Sequence, residues 1–527
     1  MISKSRVAAC AAAVVAVAGL AAAEPTLVRV TLPTAPGLYS GRLLIFAEPA
    51  VGGPPVKAVA PRFDAPEAVA IAGQDIHDAA PGATVEVDAD LSAFPKAFSA
   101  LPPGPYHIQA VLDVHRHYAY AGPEAADWVG PVADITLPAG GLARLDHQLP
   151  AESDWPAAPP AASAAQAAEW ASARADTTEI DFASPALSAF WGRPIHMRGW
   201  VVVPPTYAAH AEERFPTVYY THGFGGRLRY LAHTAIEVHA AMAKGEMPPM
   251  IWVLLDESGP TGTHEFADSV NNGPWGQALT AELIPDLERR WRMDGRPSGR
   301  FLNGHSSGGW ATLWLQTRYP KLFGGTWSTS PDPSDFHDFT GIDLYAANAN
   351  VYRRPDGAAY PLVRDHGKVL ESFSQYARSE AVEGEVGGQI ASFDWVFSPR
   401  GADGRPEPMF DRVTGTVDPQ VVAYWREHFD IAYRVARDWP VLRPDLDGKI
   451  HLIVGTADTF YLDGAAHRLK AALDGVGAKS DFRFLPDRTH FDLYKVGDNP
   501  HGLLNKIAWE MYAVARPEAF TKLATGH

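Results

Sequence analysis

Residues 299–310 read GRFLNGHSSGGW, and they combine a short apolar strand, the pattern G-x-S-x-G and the start of a run with helical apolar spacing. A strand before this pattern and a helix after it predict a sharp turn that holds the hydroxyl of Ser306 clear of a sheet. Gly304 and Gly308 are expected to keep side chains out of the places where strand and helix come closest. Ser306 is therefore the candidate nucleophile, and it needs a base, an orienting carboxylate and hydrogen-bond donors around it.

A glycine-rich loop upstream supplies candidate donors. Residues 217–221, TVYYT, read as a buried strand, and they lead directly into residues 222–226, HGFGG, which form this glycine-rich loop. Backbone N–H groups of Phe224 or Gly225 can then face the carbon that is attacked, while the amide of Ser307 supplies a second donor. The sequence thus predicts an oxyanion hole made by Phe224, Gly225 and Ser307.

Two strands near the end of the chain place a carboxylate and a histidine on loops. Residues 449–455 form an apolar strand that leads to Asp458, and residues 481–485 form a strand that leads to His490. A histidine can take the proton of a serine hydroxyl, and a carboxylate can hold the imidazole in the required tautomer. Nearby residues remain alternatives at this point: Asp463 and Asp487 for the acid, and His467 and His501 for the base.

An ordered series of motifs gives the chain a family resemblance. The series runs from residues 200–207 through the glycine-rich loop, residues 264–285 and the turn at Ser306 to Asp458 and His490. With this order, residues 177–515 resemble the putative esterase family of α/β-hydrolases, which includes esterase D, enterochelin esterases, feruloyl esterases and the antigen 85 mycolyltransferases. The resemblance implies a doubly wound, mostly parallel sheet in which a Ser-His-Asp triad cleaves carboxylic esters through an acyl-enzyme, with no cofactor.

Three other functions share part of this pattern. An acyltransferase forms the same acyl-enzyme but passes the acyl group to a sugar or another alcohol, so the sequence does not separate it from an esterase that cleaves a small-molecule or polysaccharide-linked ester. A peptidase of the prolyl oligopeptidase type would need a propeller domain, for which the N-terminal region is too short. A non-catalytic binding protein would tolerate the loss of any triad member, whereas this sequence has a candidate for each of the three. The net charge of −16 argues against a nucleic-acid partner.

The catalytic region, residues 177–527, contains a long insertion. About 120 residues separate the strand after the Ser306 helix from the strand before Asp458, which is far more than one helical crossover needs. We expect a cap at about residues 328–448 that covers the acyl pocket with aromatic side chains. Three further residues are candidate walls of that pocket: His222, Trp275 and Trp310.

Residues 24–150 have a different pattern, which predicts an N-terminal β-sandwich that is accessory to hydrolysis of small esters. Short alternating runs, separated by Pro and Gly, occur at residues 27–32, 41–47, 84–87, 106–114 and 133–137. Asp113, His115 and His117 would alternate along one strand, which is compatible with a metal site. No fourth ligand is identifiable, so we favour a solvent-exposed polar face and predict no metal. Residues 151–176, rich in Ala and Pro, predict a linker.

Residues 1–23 have the pattern of a signal peptide. Lys4 and Arg6 precede an apolar run, and small residues end it before Glu24, so we expect cleavage near Ala23 and export to the periplasm or the outside of the cell. The run is short for a membrane span, and no integral membrane segment is expected in the mature chain. Cys10 is the single cysteine, so the mature protein would contain no disulfide.

Overall fold

The structure is a computed structural model, and it describes residues 24–50, 52 and 56–518. The predicted signal peptide, together with Cys10, lies outside the described residues. Within the described ranges, no helix is both long enough and apolar enough to cross a membrane.

The N-terminal region is built mainly from β-strands. Its elements are β1 Leu27–Thr31, β2 Tyr39–Pro49, β3 Ala70–Ala79, β4 Thr84–Asp88, β5 Ala93–Phe94, β6 Gly104–Asp113, α1 Tyr118–Ala121, β7 Trp128–Val129, β8 Ala133–Leu137, β9 Gly141–Arg144 and β10 His147–Gln148. One sheet has the strand order β4-β1-β9. The other has the order β10-β7-β6-β2-β3-β5, with β8 paired to β6.

The two N-terminal sheets share one hydrophobic cluster. Val28 and Val30 of β1 and Leu43 and Ile45 of β2 are fully buried in it, because alternate side chains of each strand point to the same face. The predicted strand runs correspond to β1, β2, β4, β6 and β8. The sequence pattern misses β3, whose buried half consists of two alanines, an isoleucine and a glycine and whose other half is mostly polar.

The rest of the chain contains longer helices and the main sheet. Its elements are α2 Ala164–Ala175, β11 Thr177–Ala183, α3 Pro185–Trp191, β12 His196–Val202, β13 Thr217–Thr221, α4 Leu228–Ala243, β14 Ile251–Leu255, β15 Ser258–Gly259, β16 Gly262–Thr263, β17 Asp268–Ser269, β18 Gly273–Pro274, α5 Trp275–Gln277, α6 Ile284–Arg290, β19 Arg300–His305, α7 Ser307–Arg318, β20 Gly325–Thr329, β21 Pro361–Asp365, β22 Lys368–Ser372, α8 Phe373–Glu383, α9 Gln389–Phe397, α10 Pro419–His428, α11 Ile431–Leu446, β23 Ile450–Gly455, α12 Leu462–Gly475, β24 Ser480–Leu485 and α13 Gly502–Ala515.

An eight-stranded sheet with the order β11-β12-β14-β13-β19-β20-β23-β24 is the centre of the catalytic region. β12 runs antiparallel to both neighbours, and the strands from β14 to β24 in this order pair in parallel. Helices cover both faces, since Trp252 and Leu254 of β14 pack with α4 and α13, whereas Ile251 and Val253 pack with α6 and α7. The predicted doubly wound, mostly parallel sheet is confirmed.

The register of the parallel strands brings several loops to one edge of this sheet. Thr221, the last residue of β13, pairs with Gly304 of β19, and His305 pairs with Thr329 of β20. Because parallel strands point the same way, the loops that follow β13, β19, β20, β23 and β24 leave the sheet together. Sheets of this type bind ligands at that edge.

The segment between β20 and β23 corresponds to the predicted cap. Helices α8, α9 and α10 and the β21–β22 hairpin surround an aromatic cluster that includes the buried Phe336, Phe397 and Trp425. Val382 of α8 packs with Phe46 of the N-terminal region. α11 packs against α7 and α12, so the last helix of the predicted range 328–448 belongs to the helical layer on the sheet.

The predicted linker is attached to the catalytic region. α2 begins at Ser163, which forms a reciprocal capping box with Gln166, and it packs against α4. Upstream of α2, the ring of Trp155 contacts Trp200 of β12 edge-on, with 5.4 Å between the ring centroids. Trp155 and α2 of residues 151–176 therefore pack on the catalytic region.

Candidate active site

Ser306 lies in the turn between β19 and α7 with an unusual backbone conformation. Its φ is 60° and its ψ is −126°, values that cost a non-glycine residue free energy and persist only where the surroundings fix them. The Ser306 amide donates to the Thr329 carbonyl at 3.1 Å, and the Ser306 carbonyl accepts from the amides of Trp310 and Asp332 at 3.0 and 3.1 Å. The predicted sharp turn is confirmed.

The glycines beside Ser306 have the predicted steric role. A Cβ at Gly304 would lie 2.2 Å from the carbonyl oxygen of Gly308, and a Cβ at Gly308 would lie 2.3 Å from the carbonyl oxygen of His222. Both contacts are with backbone atoms, which cannot rotate away. A larger residue at Gly304 would therefore push α7 away from β19, and one at Gly308 would push α7 away from the glycine-rich loop.

His490 and Asp458 form a buried pair at the same edge of the sheet. Nδ1 of His490 lies 2.9 Å from Oδ2 of Asp458, and Oδ1 of Asp458 accepts from the Phe460 amide at 2.9 Å. Burial alone would raise the pKa of Asp458, but the charge and hydrogen bond of His490, together with the Phe460 amide, lower it below its usual value. Asp458 is thus a carboxylate that holds Nδ1 and leaves Nε2 for proton transfer.

Two rings pack against the His490 imidazole. The ring centroid of His305 lies 4.4 Å away, and that of Phe460 lies 4.9 Å away with an edge-on orientation. Burial lowers the pKa of His305 to about 3, with a further contribution from the charge of His490, so His305 is neutral. Because His305 directly precedes Ser306, these contacts place the His490 imidazole beside the serine turn.

The alternative acids and bases lie elsewhere. Asp463 forms an ion pair with an arginine at 2.9 Å, and the side chain of Asp487 is 82% exposed. His467 stacks on a phenylalanine of β24, and His501 pairs with a glutamate of α4 at 3.4 Å. The structure brings Asp458 and His490 together and leaves these four residues in other contacts.

The glycine-rich loop touches the serine side chain. A Cβ at Gly223 would lie 2.7 Å from Cβ and 3.4 Å from Oγ of Ser306. Among the described residues, the amide of Phe224 has no acceptor, and the amide of Ser307 lies in the first turn of α7, where N–H groups lack intrahelical partners. Burial raises the pKa of Tyr120, and the Gly225 amide opposes this rise, so that amide faces the Tyr120 hydroxyl. Phe224 and Ser307 are therefore the predicted donors that stay available to a ligand.

His222 supports this loop. Its Nε2 lies 2.9 Å from Oδ1 of Asp256, and its Nδ1 lies 2.7 Å from the Gly223 carbonyl oxygen. A Cβ at Gly226 would lie 2.2 Å from the same Nδ1. Burial alone would lower the pKa of His222, but Asp256 raises it above its usual value. The ring therefore fixes the path of the loop from Gly223 to Gly226.

A small cavity of about 30 Å³ lies near the serine turn, beside Asp332 in the segment that follows β20. Its polar side is formed by Asp332, which accepts a hydrogen bond from the Ser307 hydroxyl at 2.6 Å, and by Gln389. The rest of the wall is apolar and includes Phe339, Phe373, Ile390, Phe393, Phe460 and Leu462. Asp332 also binds the Ser306 carbonyl through its amide, so one residue of the cavity wall is hydrogen bonded to the serine turn.

The three residues predicted as pocket walls do not line this cavity. Trp310 is fully buried and stacks on Trp314, Trp275 stacks on His264, and His222 lies under the glycine-rich loop. The sequence pattern missed Asp332 and Gln389. Asp332 had a local signal, since it closely follows a strand end, whereas Gln389 lies far along the cap and had none.

The profile of the family described as "Putative esterase" matches residues 192–480, which is more than half of the chain. The chain belongs to the putative esterase family. It is a carboxylic ester hydrolase, in agreement with the resemblance read from the motifs. The matched part of this esterase contains Ser306 and Asp458 and stops before His490. No curated protein matches the esterase in sequence.

Several solved structures are similar to the esterase. An S-formylglutathione hydrolase from Agrobacterium tumefaciens is 14% identical with a TM-score of 0.35, and the match covers 64% of the esterase and 94% of that chain. A ferulic acid esterase from Anaeromyces mucronatus is 14% identical with a TM-score of 0.35, over 63% and 89% of the two chains. The fluorophosphonate-binding serine hydrolase F of Staphylococcus aureus is 11% identical with a TM-score of 0.38, over 64% and 97%.

Two glutamates of the esterase are fully buried near the glycine-rich loop. Oε2 of Glu257 accepts from the Thr221 hydroxyl at 3.1 Å, whereas neither carboxyl oxygen of Glu265 has a partner among the described residues. Burial raises the pKa of Glu257 to about 8 and that of Glu265 well above its usual value. Both carboxyl groups therefore hold protons near neutral pH.

These buried acids predict that the esterase loses stability as the pH rises. A carboxyl group with a raised pKa binds a proton in the folded state at pH values where the unfolded chain has released it, so the free energy of unfolding falls as pH increases toward the folded-state pKa. We expect a higher melting temperature at about pH 6 than at about pH 9, and a weaker dependence in Glu257→Gln and Glu265→Gln. Thermal unfolding followed by circular dichroism measures this.

The exposed Glu86→Gln variant is the control, because it removes a carboxyl group from the surface. Its melting temperature should depend on pH as that of the unmodified chain does. A melting temperature that rises over this pH range, or glutamine variants with the same slope as the control, would contradict the prediction.

The prediction that Asp113, His115 and His117 alternate along one strand is wrong, because β6 ends at Asp113. The Asp113 carboxylate accepts from the amides of His115 and Tyr118 at 2.9 and 2.7 Å, and the φ of 63° at Arg116 turns the chain. A short polar side chain at a strand end can hydrogen bond the following amides and thereby start such a turn.

His115 and His117 meet a different carboxylate. Their rings stack with 5.4 Å between centroids, and with Glu124 they bring three atoms that could bind a metal within 4.8 Å of one another. The other oxygen of Glu124 pairs with Arg227 at 2.7 Å, so a guanidinium already balances its charge. The absence of a metal stays a prediction.

Proposed function

We propose that this enzyme is an exported serine esterase in which Ser306, His490 and Asp458 form the triad and the amides of Phe224 and Ser307 form the oxyanion hole. The observation that carries the proposal is the arrangement at one edge of the sheet. The strained serine turn, the buried His490–Asp458 pair and a loop that touches the serine side chain meet there. Ester cleavage by an acyl-enzyme needs these three components.

In the first half of the reaction, Oγ of Ser306 forms a bond to the ester carbonyl carbon while its proton passes to Nε2 of His490. The carbonyl oxygen becomes an oxyanion and accepts hydrogen bonds from the two amides. Asp458 keeps the proton on Nδ1 and stabilises the imidazolium. The bond to the alcohol oxygen then breaks, and His490 gives the proton to the leaving alcohol.

In the second half, His490 takes a proton from water as the water oxygen attacks the acyl carbon. The bond between Oγ of Ser306 and the acyl carbon breaks, Ser306 regains a proton from His490, and the carboxylic acid leaves. An alcohol in place of water would receive the acyl group by the same steps, so the products distinguish hydrolysis from transfer.

The test is active-site titration with p-nitrophenyl acetate. We expect about one p-nitrophenol per active site in a rapid burst, followed by slower turnover, because the acyl-enzyme accumulates. Mass spectrometry of the quenched burst should find the acetyl group on the peptide that contains Ser306. Acetyl on a peptide without Ser306 would refute the assignment, and a sugar acetate formed in the presence of sugar would indicate transfer.

The cavity beside Asp332 supports an ester with a small apolar acyl group as the substrate, since its volume is about 30 Å³. Apolar side chains form most of its wall, and apolar pockets with few polar groups are typical of small-molecule sites. Its position next to the Ser306 carbonyl fits a group attached to the carbon that Ser306 attacks.

We therefore expect Ile390→Phe to discriminate against bulky acyl groups. Ile390 lines the cavity and is 3% exposed, so a larger side chain takes volume from the pocket. The value of kcat/KM for p-nitrophenyl butanoate should fall about 10-fold relative to that for p-nitrophenyl acetate. The acetate ester is the internal control, and equal losses on both esters would contradict the pocket assignment.

For the other parts of the chain, we propose that residues 24–150 form a β-sandwich domain, joined by residues 151–176 to a catalytic domain, residues 177–527, that carries the cap. Two sheets that share one hydrophobic cluster support the sandwich. We also propose that residues 1–23 are a signal peptide. N-terminal sequencing of the exported protein should then give a chain that starts at Glu24, and an uncleaved chain would contradict this.

A further inference from the structure

The N-terminal region contacts the glycine-rich loop through Tyr120 of α1. The Tyr120 hydroxyl donates to the Gly226 carbonyl at 2.6 Å. The Tyr120 ring meets the Phe224 ring edge-on with 5.0 Å between centroids. Tyr120 is 5% exposed, so these contacts are made in a water-poor interface where hydrogen bonds hold their geometry well.

A second contact holds the end of the same loop. Arg227, which follows the loop and precedes α4, pairs with Glu124 of the N-terminal region at 2.7 Å. The other oxygen of Glu124 lies 3.1 Å from Nε2 of His117. The side chains of Arg227 and Glu124 are 25% and 23% exposed, so this pair is only partly open to solvent and is worth more than a typical surface pair.

The glycine-rich loop thus has two supports that come from different regions. Its start is held by the His222–Asp256 pair of the catalytic region, and its end is held by Tyr120 and Glu124. The amide of Phe224 lies between these supports. Since Phe224 is followed by a glycine with a φ of 78°, a conformation open to few other residues, the loop itself supplies little stiffness.

The N-terminal region also reaches the histidine side of the site. The ring of Phe63 contacts Phe460 and Phe491 with centroid distances of 6.0 and 5.9 Å, and Phe460 packs on the His490 imidazole. Two separate segments of the N-terminal region therefore reach the catalytic loops. A domain that was merely accessory to hydrolysis of small esters would not need these contacts.

We infer that Tyr120 is a positioning residue for the oxyanion hole, and that the N-terminal region completes the active site by fixing the Phe224 amide through Tyr120. This inference rests on the proposed function. The loss of one oxyanion donor typically costs about 10²–10³ in kcat, and a misplacement of about 1 Å can cost about 10². A displaced Phe224 amide would thus slow the chemistry more than it weakens substrate binding.

The test is Tyr120→Phe in the full chain, which removes one hydroxyl and keeps the ring against Phe224. With p-nitrophenyl acetate we expect kcat to fall about 10-fold to 100-fold with little change in KM, since the oxyanion forms only as the carbonyl is attacked. The burst amplitude should stay near one per active site, because Ser306 and His490 remain in place.

Tyr118→Phe is the matched control. Tyr118 lies on the same short helix, is 6% exposed and packs on Phe46 of the N-terminal region rather than on the glycine-rich loop. It should keep the unmodified kcat, and both variants should keep a similar melting temperature. Equal losses of kcat in the two variants, or an unchanged kcat in Tyr120→Phe, would overturn the inference.

A Ser306→Ala variant in the same assay distinguishes a failure of the positioning role of Tyr120 from a failure of the proposed function. An inactive Ser306→Ala beside a fully active Tyr120→Phe would overturn only the positioning role. If Ser306→Ala still turned over the ester with a burst, the proposed function would fail and the inference would fail with it.

Discussion

Ser306→Ala is expected to reduce turnover of p-nitrophenyl acetate by about 10⁶-fold, on the scale found when serine hydrolases lose the nucleophile. The reason is that no other hydroxyl shares its position. Ser306 lies in a strained turn at the start of α7, next to the His490 imidazole and against Gly223 of the glycine-rich loop. A fluorophosphonate probe should label the unmodified chain once and should not label the variant.

The exposed Ser172→Ala variant on α2 is the control for this experiment. It should keep both labelling and turnover, because Ser172 is far along the chain from the serine turn and faces solvent. Probe incorporation that persists in Ser306→Ala would show that another residue is the nucleophile.

The second large effect concerns the acid and the base. His490→Ala should reduce turnover as severely as Ser306→Ala, because the serine hydroxyl would then lack a proton acceptor. Asp458→Asn should cost about 10⁴-fold, since an asparagine at this position favours the wrong imidazole tautomer and cannot stabilise the imidazolium. The 2.9 Å contact between Asp458 and His490 is buried, so solvent cannot replace it.

Asp463→Asn and Asp487→Asn are the matched controls for Asp458→Asn. Both are nearby carboxylates, but the first pairs with Arg364 and the second is largely exposed. Steady-state kinetics should show kcat near that of the unmodified chain for both. If either control lost more activity than Asp458→Asn, the carboxylate that orients His490 would have to be reassigned.

The parts of the fold that the sequence predicts well have short-range signals. The G-x-S-x-G pattern predicts the turn at Ser306 because Gly304 and Gly308 avoid clashes with backbone atoms a few residues away and with the glycine-rich loop. The strands before His222 and Asp458 are mostly buried runs followed by polar residues, and the strand before His490 is a half-buried strand in which apolar and polar residues alternate; such patterns are recognisable one at a time. Their meeting at one edge then follows from parallel pairing.

The parts that the sequence did not predict depend on contacts between distant residues. Tyr120 and Gly226 are 106 positions apart, and nothing near either residue indicates the hydrogen bond between them. The turn after Asp113 was read as a continuing strand, because alternation alone cannot show that a carboxylate binds the next amides and ends the strand. His222, Trp275 and Trp310 do not line the cavity near Asp332, and sequence alone could not show this, since an aromatic residue near Ser306, such as Trp310, can equally well fill the core.

The reactive groups and the cavity wall come from different parts of the chain, which affects how this enzyme could be redesigned. The groups proposed for bond breaking follow β13, β19, β23 and β24, whereas much of the cavity wall comes from the insertion between β20 and α11. Replacing the hairpin and helices of that insertion would change which acyl groups fit the cavity. The strands that carry the reactive groups would stay unchanged. Asp332 is the exception, because it lines the cavity and its carboxylate also accepts a hydrogen bond from the hydroxyl of Ser307, whose amide is a proposed oxyanion donor. Libraries that alter acid selectivity should therefore vary the wall around Ile390 and Phe393 and leave Asp332 unchanged.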